Sequence, residues 1–312
     1  MKKKAVLVLA LFALGMGGAF VSTRAHADPN CHHSHSRKCS STTTTSAASS
    51  AVCGSLAGQT PSTTYSHVIW IWMENKAYSD VIGSASAPYE NQLAASCGLA
   101  TNYFGITHPS LPNYIAATSG SPQGIADDNP PASHPLSLLS LFGQVSSGSY
   151  EESMPANCSL GDTYPYAVKH NPEAYYLSLR TQCQAQDVPL VQFDPHNMPQ
   201  FSFITPNLCS DTHDCSVDTG DAWLRQFLPP IFASADYRSG RTVVFLTWDE
   251  DDSSSGNHVP LIEMSAHTAP GTRTCARFDH YSLLRTTEEL LGVTSDLGAA
   301  ANATSMRTAF GL

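Results

Sequence analysis

Ser110 is the residue of this chain best placed to act as a nucleophile. It stands in Thr107-His108-Pro109-Ser110-Leu111-Pro112-Asn113-Tyr114, a hydroxyl just before a proline suited to the first turn of a helix. A serine there lies beside unpaired backbone N–H groups and the positive end of the helix dipole, and both favour a bound phosphate. Asn113 could add a side-chain donor to a phosphoryl oxygen. Taken alone, the segment is equally compatible with a serine that only caps the helix.

Phosphoryl transfer needs charge neutralisation, in-line placement and an activated oxygen, which a metal touching both nucleophile and phosphate supplies together. Hard oxygen donors are therefore expected near Ser110. Glu74 and Asn75 end the apolar run His67–Met73 (HVIWIWM), and Asp249 and Glu250 end Thr242–Trp248 (TVVFLTW). Such runs read as strands buried on both faces of a parallel sheet, and ligand sites in open α/β sheets gather at the carboxyl ends of strands. One acidic pair alone would read as a surface turn, but two strand endings together with the Ser110 segment point to one metal-dependent centre. A third cluster, with Asp211, His213 and Asp214 between Cys209 and Cys215, offers an imidazole for proton transfer or ligation. His280 precedes the last long helix and is a further candidate; His258 and His267 are weaker ones.

The elements that must position these groups alternate along the chain. Beyond the two apolar runs, strands are expected at Phe201–Thr205 and Val259–Met264, and helices at Pro112–Thr118, Pro135–Gln144, Gly220–Leu228 and Tyr281–Leu291. That order predicts a three-layer α/β/α sandwich. Lysines at positions 2 to 4, the apolar stretch Ala5–Phe20 and Ala25-His26-Ala27 read as a signal peptide over residues 1–27. Residues 28–64, rich in Ser, Thr, Ala and His, read as a flexible leader, leaving 65–312 as one catalytic domain.

All nine cysteines follow the signal, which fits an oxidising compartment with several disulfides. The odd count predicts at least one thiol free or bonded between chains, and Cys209 and Cys215 are close enough to close a small loop. The net charge of −10 disfavours nucleic acid or an anionic membrane as an obligatory partner. No segment approaches the roughly 20 apolar residues of a transmembrane helix. The oligomeric state stays open.

Five segments in order, MENKAYSDVIG from Met73, THPSLPNYIAATSG from Thr107, CSDTHDCSVDTGDAWL from Cys209, VVFLTWDEDDSSSGNHVP from Val243 and HYSLLRTTEELLG from His280, resemble the bacterial phosphoesterase family of secreted acid phosphatases and phospholipases C. The resemblance runs from His67 to Gly292. It implies an alkaline-phosphatase-like fold, with a mixed, mostly parallel sheet between helical layers and a phosphorylated serine intermediate. By that resemblance, Glu74, Asn75, Asp249 and Glu250 are metal ligands joined by the oxygen of Ser110. Asp211, His213 and His280 would bind phosphate or a second metal and handle the leaving group's proton, and Asn113 would stabilise transition-state charge. Oxygen ligands favour calcium, magnesium or manganese; zinc or iron would follow if the histidines ligate.

The chain lacks the additional C-terminal domains of the phospholipase C branch and is closer to the compact secreted acid phosphatases, some of which act on phosphoinositide monophosphates. The expected activity is hydrolysis of small phosphate monoesters. A phospholipase C-type phosphodiesterase and a non-catalytic secreted metal- or phosphate-binding protein are the alternatives.

Overall fold

The computed structural model describes residues 52–312. Its strands are β1 (His67–Met73), β2 (Gly98–Ala100), β3 (Tyr103–Phe104), β4 (Ser147–Glu151), β5 (Asp187–Pro189), β6 (Phe201–Thr205), β7 (Thr242–Trp248), β8 (Leu261–Ser265), β9 (Thr272–Thr274) and β10 (Phe278–Asp279). One sheet runs in the order β5-β4-β6-β1-β7-β8-β2-β9, and β3 pairs with β10 in a small ribbon. Strand β8 is antiparallel to both neighbours, whereas β5, β4, β6, β1 and β7 are parallel throughout. The sheet is mixed and mostly parallel, as expected.

Alternation along β1 builds the layers, because successive side chains of a strand point to opposite faces. On one face, Trp70 Nε1 donates to Thr287 Oγ1 at 2.9 Å and the Trp72 ring lies 4.8 Å from that of Tyr114. Phe201 and Phe203 of β6 complete an aromatic slab beneath the helices Ser110–Ser119 and His280–Leu290. On the other face, Met73 packs against the helix Val217–Ala233 at Gly220, where a Cβ would meet the Met73 methyl at 2.8 Å. Coverage on both sides explains why β7 is buried from end to end and β1 from its second residue onward.

Some expectations shift. The strand read as Val259–Met264 begins at Leu261, after Pro260, which has no N–H for the ladder. The helix read at Pro135–Gln144 is helical only over Leu141–Gln144, because Leu136 exchanges backbone bonds with Tyr175 and Leu177 instead. The helix read as Gly220–Leu228 runs from Val217 to Ala233, through Pro229 and Pro230.

The boundary at residue 64 also moves. Cys53 is buried and bonded to Cys97, and Gly54 and Leu56 donate backbone bonds to Ser265 and Ala266, so a staple docks this part of the leader without any apolar periodicity. The signal peptide and residues 28–51 lie outside the described residues. Cys158 joins Cys183, Cys209 joins Cys215 as its spacing suggested, and Cys275 is also disulfide-bonded. None of the described cysteines is free. No helix of the described residues is long and apolar enough to cross a membrane.

Candidate active site

Parallel register pairs Met73 with Trp248, so Glu74 and Asp249 leave the sheet side by side. The Asp249 N–H donates to Met73 O at 3.1 Å, and the Asn75 N–H donates to Asp249 Oδ1 at 3.3 Å. The loop after β6 closes the third side: Glu74 N–H donates to Asp211 O at 2.8 Å and Thr212 Oγ1 to Glu74 O at 2.7 Å. Asn75 has φ +55°, a left-handed conformation that asparagine tolerates better than most residues.

Ser110 opens its helix behind Pro109, which holds the N-cap position in extended conformation. The helix ends at Gly120, whose φ of +76° and tight fit against Leu297 exclude a side chain. The Ser110 hydroxyl is buried and donates to Glu74 Oε2 at 3.2 Å. One turn later on the same face, Tyr114 donates to Glu74 Oε1 at 2.5 Å. Glu74 is therefore gripped by Ser110 and by a tyrosine of the same helix.

His170 fills the remaining side. Its Nε2 lies 3.2 Å from Glu74 Oε1 and its Nδ1 3.3 Å from Asp211 Oδ2, and its ring stacks on that of Tyr114. Ligand atoms of Glu74, His170 and His213 lie within 4.8 Å of one another. His213 Nδ1 is 2.7 Å from Asp214 Oδ1, and its Nε2 is 3.3 Å from Lys169 Nζ. A carboxylate only accepts and an ammonium only donates, so His213 carries its proton on Nδ1 and its Nε2 accepts from Lys169 Nζ. Lys169 also donates to Asp128 Oδ2 at 3.1 Å.

The electrostatics show a site short of positive charge. Burial, with Asp249 and Asp211 alongside, holds the Glu74 carboxyl well above the usual range. Burial lifts Asp249 to about 7 despite N–H groups from Asn75 and Glu250, and burial beside Asp249 lifts Glu250 to about 9. Asp211 is raised by burial as well. His170 is held low by burial, with Lys169 and His213 adding to the effect. Three buried ligand-type atoms have no hydrogen-bond partner: His170 Nε2, Asp211 Oδ2 and Asp249 Oδ2. The His170 contacts are thus at ion-pair distance but outside hydrogen-bond geometry. Bare imidazole nitrogen and carboxylate oxygens in one cavity are what a divalent cation would satisfy.

Two expected residues sit differently. His280 is fully buried beneath the site. Its Nε2 donates to Asp249 O at 2.7 Å, so its Nδ1 accepts from Tyr103 OH at 2.8 Å. Burial brings it down to about 4, and both nitrogens are committed. His280 is therefore not open to phosphate, metal or a leaving group; it holds the Asp249 backbone. Asn113 accepts from the N–H groups of Ile106 and Thr107, while its amide donates to Thr107 O, Pro109 O and Glu250 Oε2. It staples the loop that leads into Ser110 rather than presenting a free donor. Glu250 is turned toward Asn113 and toward His108, whose Nδ1 is 2.9 Å away.

Sequence reasoning missed His170, Lys169, Tyr114, Asp128 and His108. Lys169-His170 follows no apolar strand; short 3-10 turns carry it, and Thr205 Oγ1 pins His170 O at 3.1 Å. Tyr114 was readable in principle, one helical turn beyond Ser110. A cavity of about 230 Å³, lined by Asp128, Asp162, Tyr164, Tyr166, Lys169 and His213 among others, opens beside this cluster.

A serine held on a buried carboxylate at the carboxyl end of a mixed, mostly parallel sheet fits a phosphoesterase of alkaline-phosphatase-type fold. The chain belongs to the Phosphoesterase family, matched over residues 72–294, and is a hydrolase of phosphoric esters. It is 35% identical to a phosphatidylinositol-3-phosphatase of Mycobacterium tuberculosis, over 77% of this chain and 81% of that protein. It is 30% identical to an acid phosphatase of Aspergillus fumigatus over 72% of this chain, spanning about half (54%) of the fungal protein. Among solved structures, an alkaline phosphatase superfamily protein of Vibrio parahaemolyticus aligns with a TM-score of 0.50 at 11% identity, covering 83% of this chain and 73% of that one. That likeness concerns the fold alone.

Proposed function

We propose that this protein is a secreted, metal-dependent phosphomonoesterase of acid phosphatase type that works through a phosphoserine at Ser110. The observation that carries the reading is the set of bare ligand atoms on Asp249, Asp211 and His170 around Glu74, which itself holds the Ser110 hydroxyl at 3.2 Å. Glu74, Asp249, Asp211 and His170 would hold the cation, with Asn75 and Glu250 supporting them from the strand ends. Histidine among the donors favours manganese, zinc or iron over calcium or magnesium. When bound, such a cation neutralises the carboxylates and lowers the pKa of a nearby hydroxyl.

The chain's own groups supply the rest. Glu74 Oε2 takes the Ser110 proton as Oγ attacks phosphorus in line, and the ester oxygen departs toward the open cavity, where it takes a proton from solvent. Water then attacks the phosphoserine while His213 Nε2, released by Lys169, accepts its proton and passes it to solvent. Phosphate leaves, and Glu74 returns the proton to Ser110. The names of the curated relatives support a monoester substrate, and a phosphoinositide monophosphate is one candidate. The disulfides of the described residues support an exported protein.

The test is hydrolysis of p-nitrophenyl phosphate by metal-supplied residues 28–312 beside Ser110→Ala, with bis-p-nitrophenyl phosphate as the diester control. The parent is expected to cleave the monoester and the variant to lose all but about one part in 10⁴ or less of that activity. Equal activity in both would remove Ser110 as nucleophile, and preference for the diester would replace the monoesterase reading.

A further inference from the structure

The N-terminus of the nucleophile's helix is already occupied by a carboxylate. Of the four positions whose N–H groups an α-helix leaves unpaired, two are here proline, Pro109 and Pro112. Only the N–H groups of Ser110 and Leu111 remain to meet an anion. The Leu111 N–H donates to Asp128 Oδ1 at 2.9 Å, while Asp128 Oδ2 accepts from Lys169 Nζ at 3.1 Å. Lys169 itself reaches His213 Nε2 at 3.3 Å, which sets its ammonium at the border between the ligand cluster and the open cavity.

An N–H next to the attacking serine and a lysine ammonium are the donors that a transferring phosphoryl group requires. Asp128 uses both, one with each of its oxygens, as one edge of a phosphate would. Its side chain is 29% exposed and that of Lys169 20%, so the carboxylate can swing out without disturbing the core, whereas Glu74 and Asp211 beneath it are fully buried.

Building on the phosphomonoesterase reading, we propose that Lys169 is a catalytic residue that binds the transferred phosphoryl group, and that Asp128 is its placeholder in the resting enzyme. Substrate phosphate displaces Asp128 and takes over its two donors. Asp128 thereby keeps Lys169 pointed at the phosphorus site between turnovers and competes with phosphate for it, which weakens retention of the inorganic phosphate product.

Three variants, Lys169→Ala, Lys169→Arg and Asp128→Asn, would be compared with the parent at equal metal content. Two readouts apply: kcat/KM on p-nitrophenyl phosphate, and inorganic phosphate binding by titration calorimetry, which does not depend on turnover. Lys169→Ala is expected to lose about 100-fold or more in kcat/KM and to bind phosphate more weakly, with Lys169→Arg recovering part of both. Asp128→Asn is expected to bind phosphate about tenfold more tightly, since a like charge beside the incoming dianion is gone; structural damage would not produce that gain. Phosphate binding unchanged or weakened in Asp128→Asn, or Lys169→Ala within threefold of the parent, would overturn the proposal. A parent that binds phosphate, with the expected gain in Asp128→Asn, but hydrolyses neither ester would instead sink the enzymatic reading while sustaining the placeholder. Should Lys169→Ala fail to fold, the arginine and asparagine variants decide.

Discussion

Glu263 gives the sharpest physical test of how this interior is held. It stands in the middle of β8, directly opposite Gly98 of β2, fully buried, and neither carboxylate oxygen has a hydrogen-bond partner. Its Oε2 and the Phe310 ring fill the space where a Gly98 side chain would go. Burial pushes this carboxyl up to about 8, and the hydroxyls of Thr268 and Ser265 pull it back only in part. An acid whose folded pKa is raised stabilises the fold fully below its unfolded pKa and loses that contribution as pH climbs to the folded value. The window therefore runs from the ordinary 4.5 up to about 8. At about 1.4 kcal/mol per tenfold step in proton affinity, this one group drains at most about 5 kcal/mol of stability across it. Glu263→Gln keeps the shape of the protonated acid and cannot ionise. Urea unfolding with disulfides intact, followed by tryptophan fluorescence at about pH 5 and about pH 8, should find the variant near the parent in acid and more stable by up to about 5 kcal/mol at the alkaline end. Other buried acids contribute equally to both proteins and cancel in the difference. Parent and variant falling in parallel with pH would refute the argument.

Gly120→Ala must place a methyl at φ +76° against the Leu297 carbonyl. It should cost about 1–3 kcal/mol or more in urea melts, and an unchanged midpoint would mean that the helix end can re-form elsewhere. Removing divalent metal with a chelator should lower the melting temperature, and re-addition should restore it, because a cation a thousandfold above its Kd contributes about 4 kcal/mol. Differential scanning calorimetry with and without chelator checks this, and superimposable traces would argue against a resident cation at Glu74.

Much of the frame was legible because its signals are local. The bounds of β1, β6 and β7 match those read from sequence, since strands buried on both faces are dominated by apolar and β-branched residues. Glu74 and Asp249 were found because a charged residue ending such a run has one plausible place to be, the carboxyl edge of the sheet. Strands β2 and β5 escaped because they have only three residues each, and β4 because it reads Ser-Gly-Ser-Tyr-Glu, with no apolar pattern to detect. The site's basic side escaped for a different reason. His170 and Lys169 reach Glu74 and Asp128 only because Tyr114 stacks on His170 and β6 anchors its carbonyl, contacts spanning tens of residues that leave no periodic trace. His280 misled in the opposite sense: its place before a long helix looks catalytic, yet the ring is spent on Tyr103 and the Asp249 carbonyl.

Two sets of buried carboxyl groups in this molecule are physically distinct, and the distinction separates support from chemistry. Glu90, Glu173 and Glu263 have unpartnered oxygens and are raised by burial, so a proton is the cheapest neutraliser and an acidic medium keeps them folded. Glu74, Asp211 and Asp249 are raised too, but they share their cavity with two imidazoles and a serine hydroxyl. Protonating these carboxyls would leave His170 Nε2, outside hydrogen-bond geometry with Glu74, still bare and would leave Glu74 unable to take the Ser110 proton. In the proposed reading, a cation would satisfy the carboxylates and the imidazole together and leave Glu74 able to accept the serine proton. Retention of stability in acid and readiness for phosphoryl transfer are thus compatible in one fold, because the first set rests on protons and the second on ligand atoms that protons cannot all satisfy.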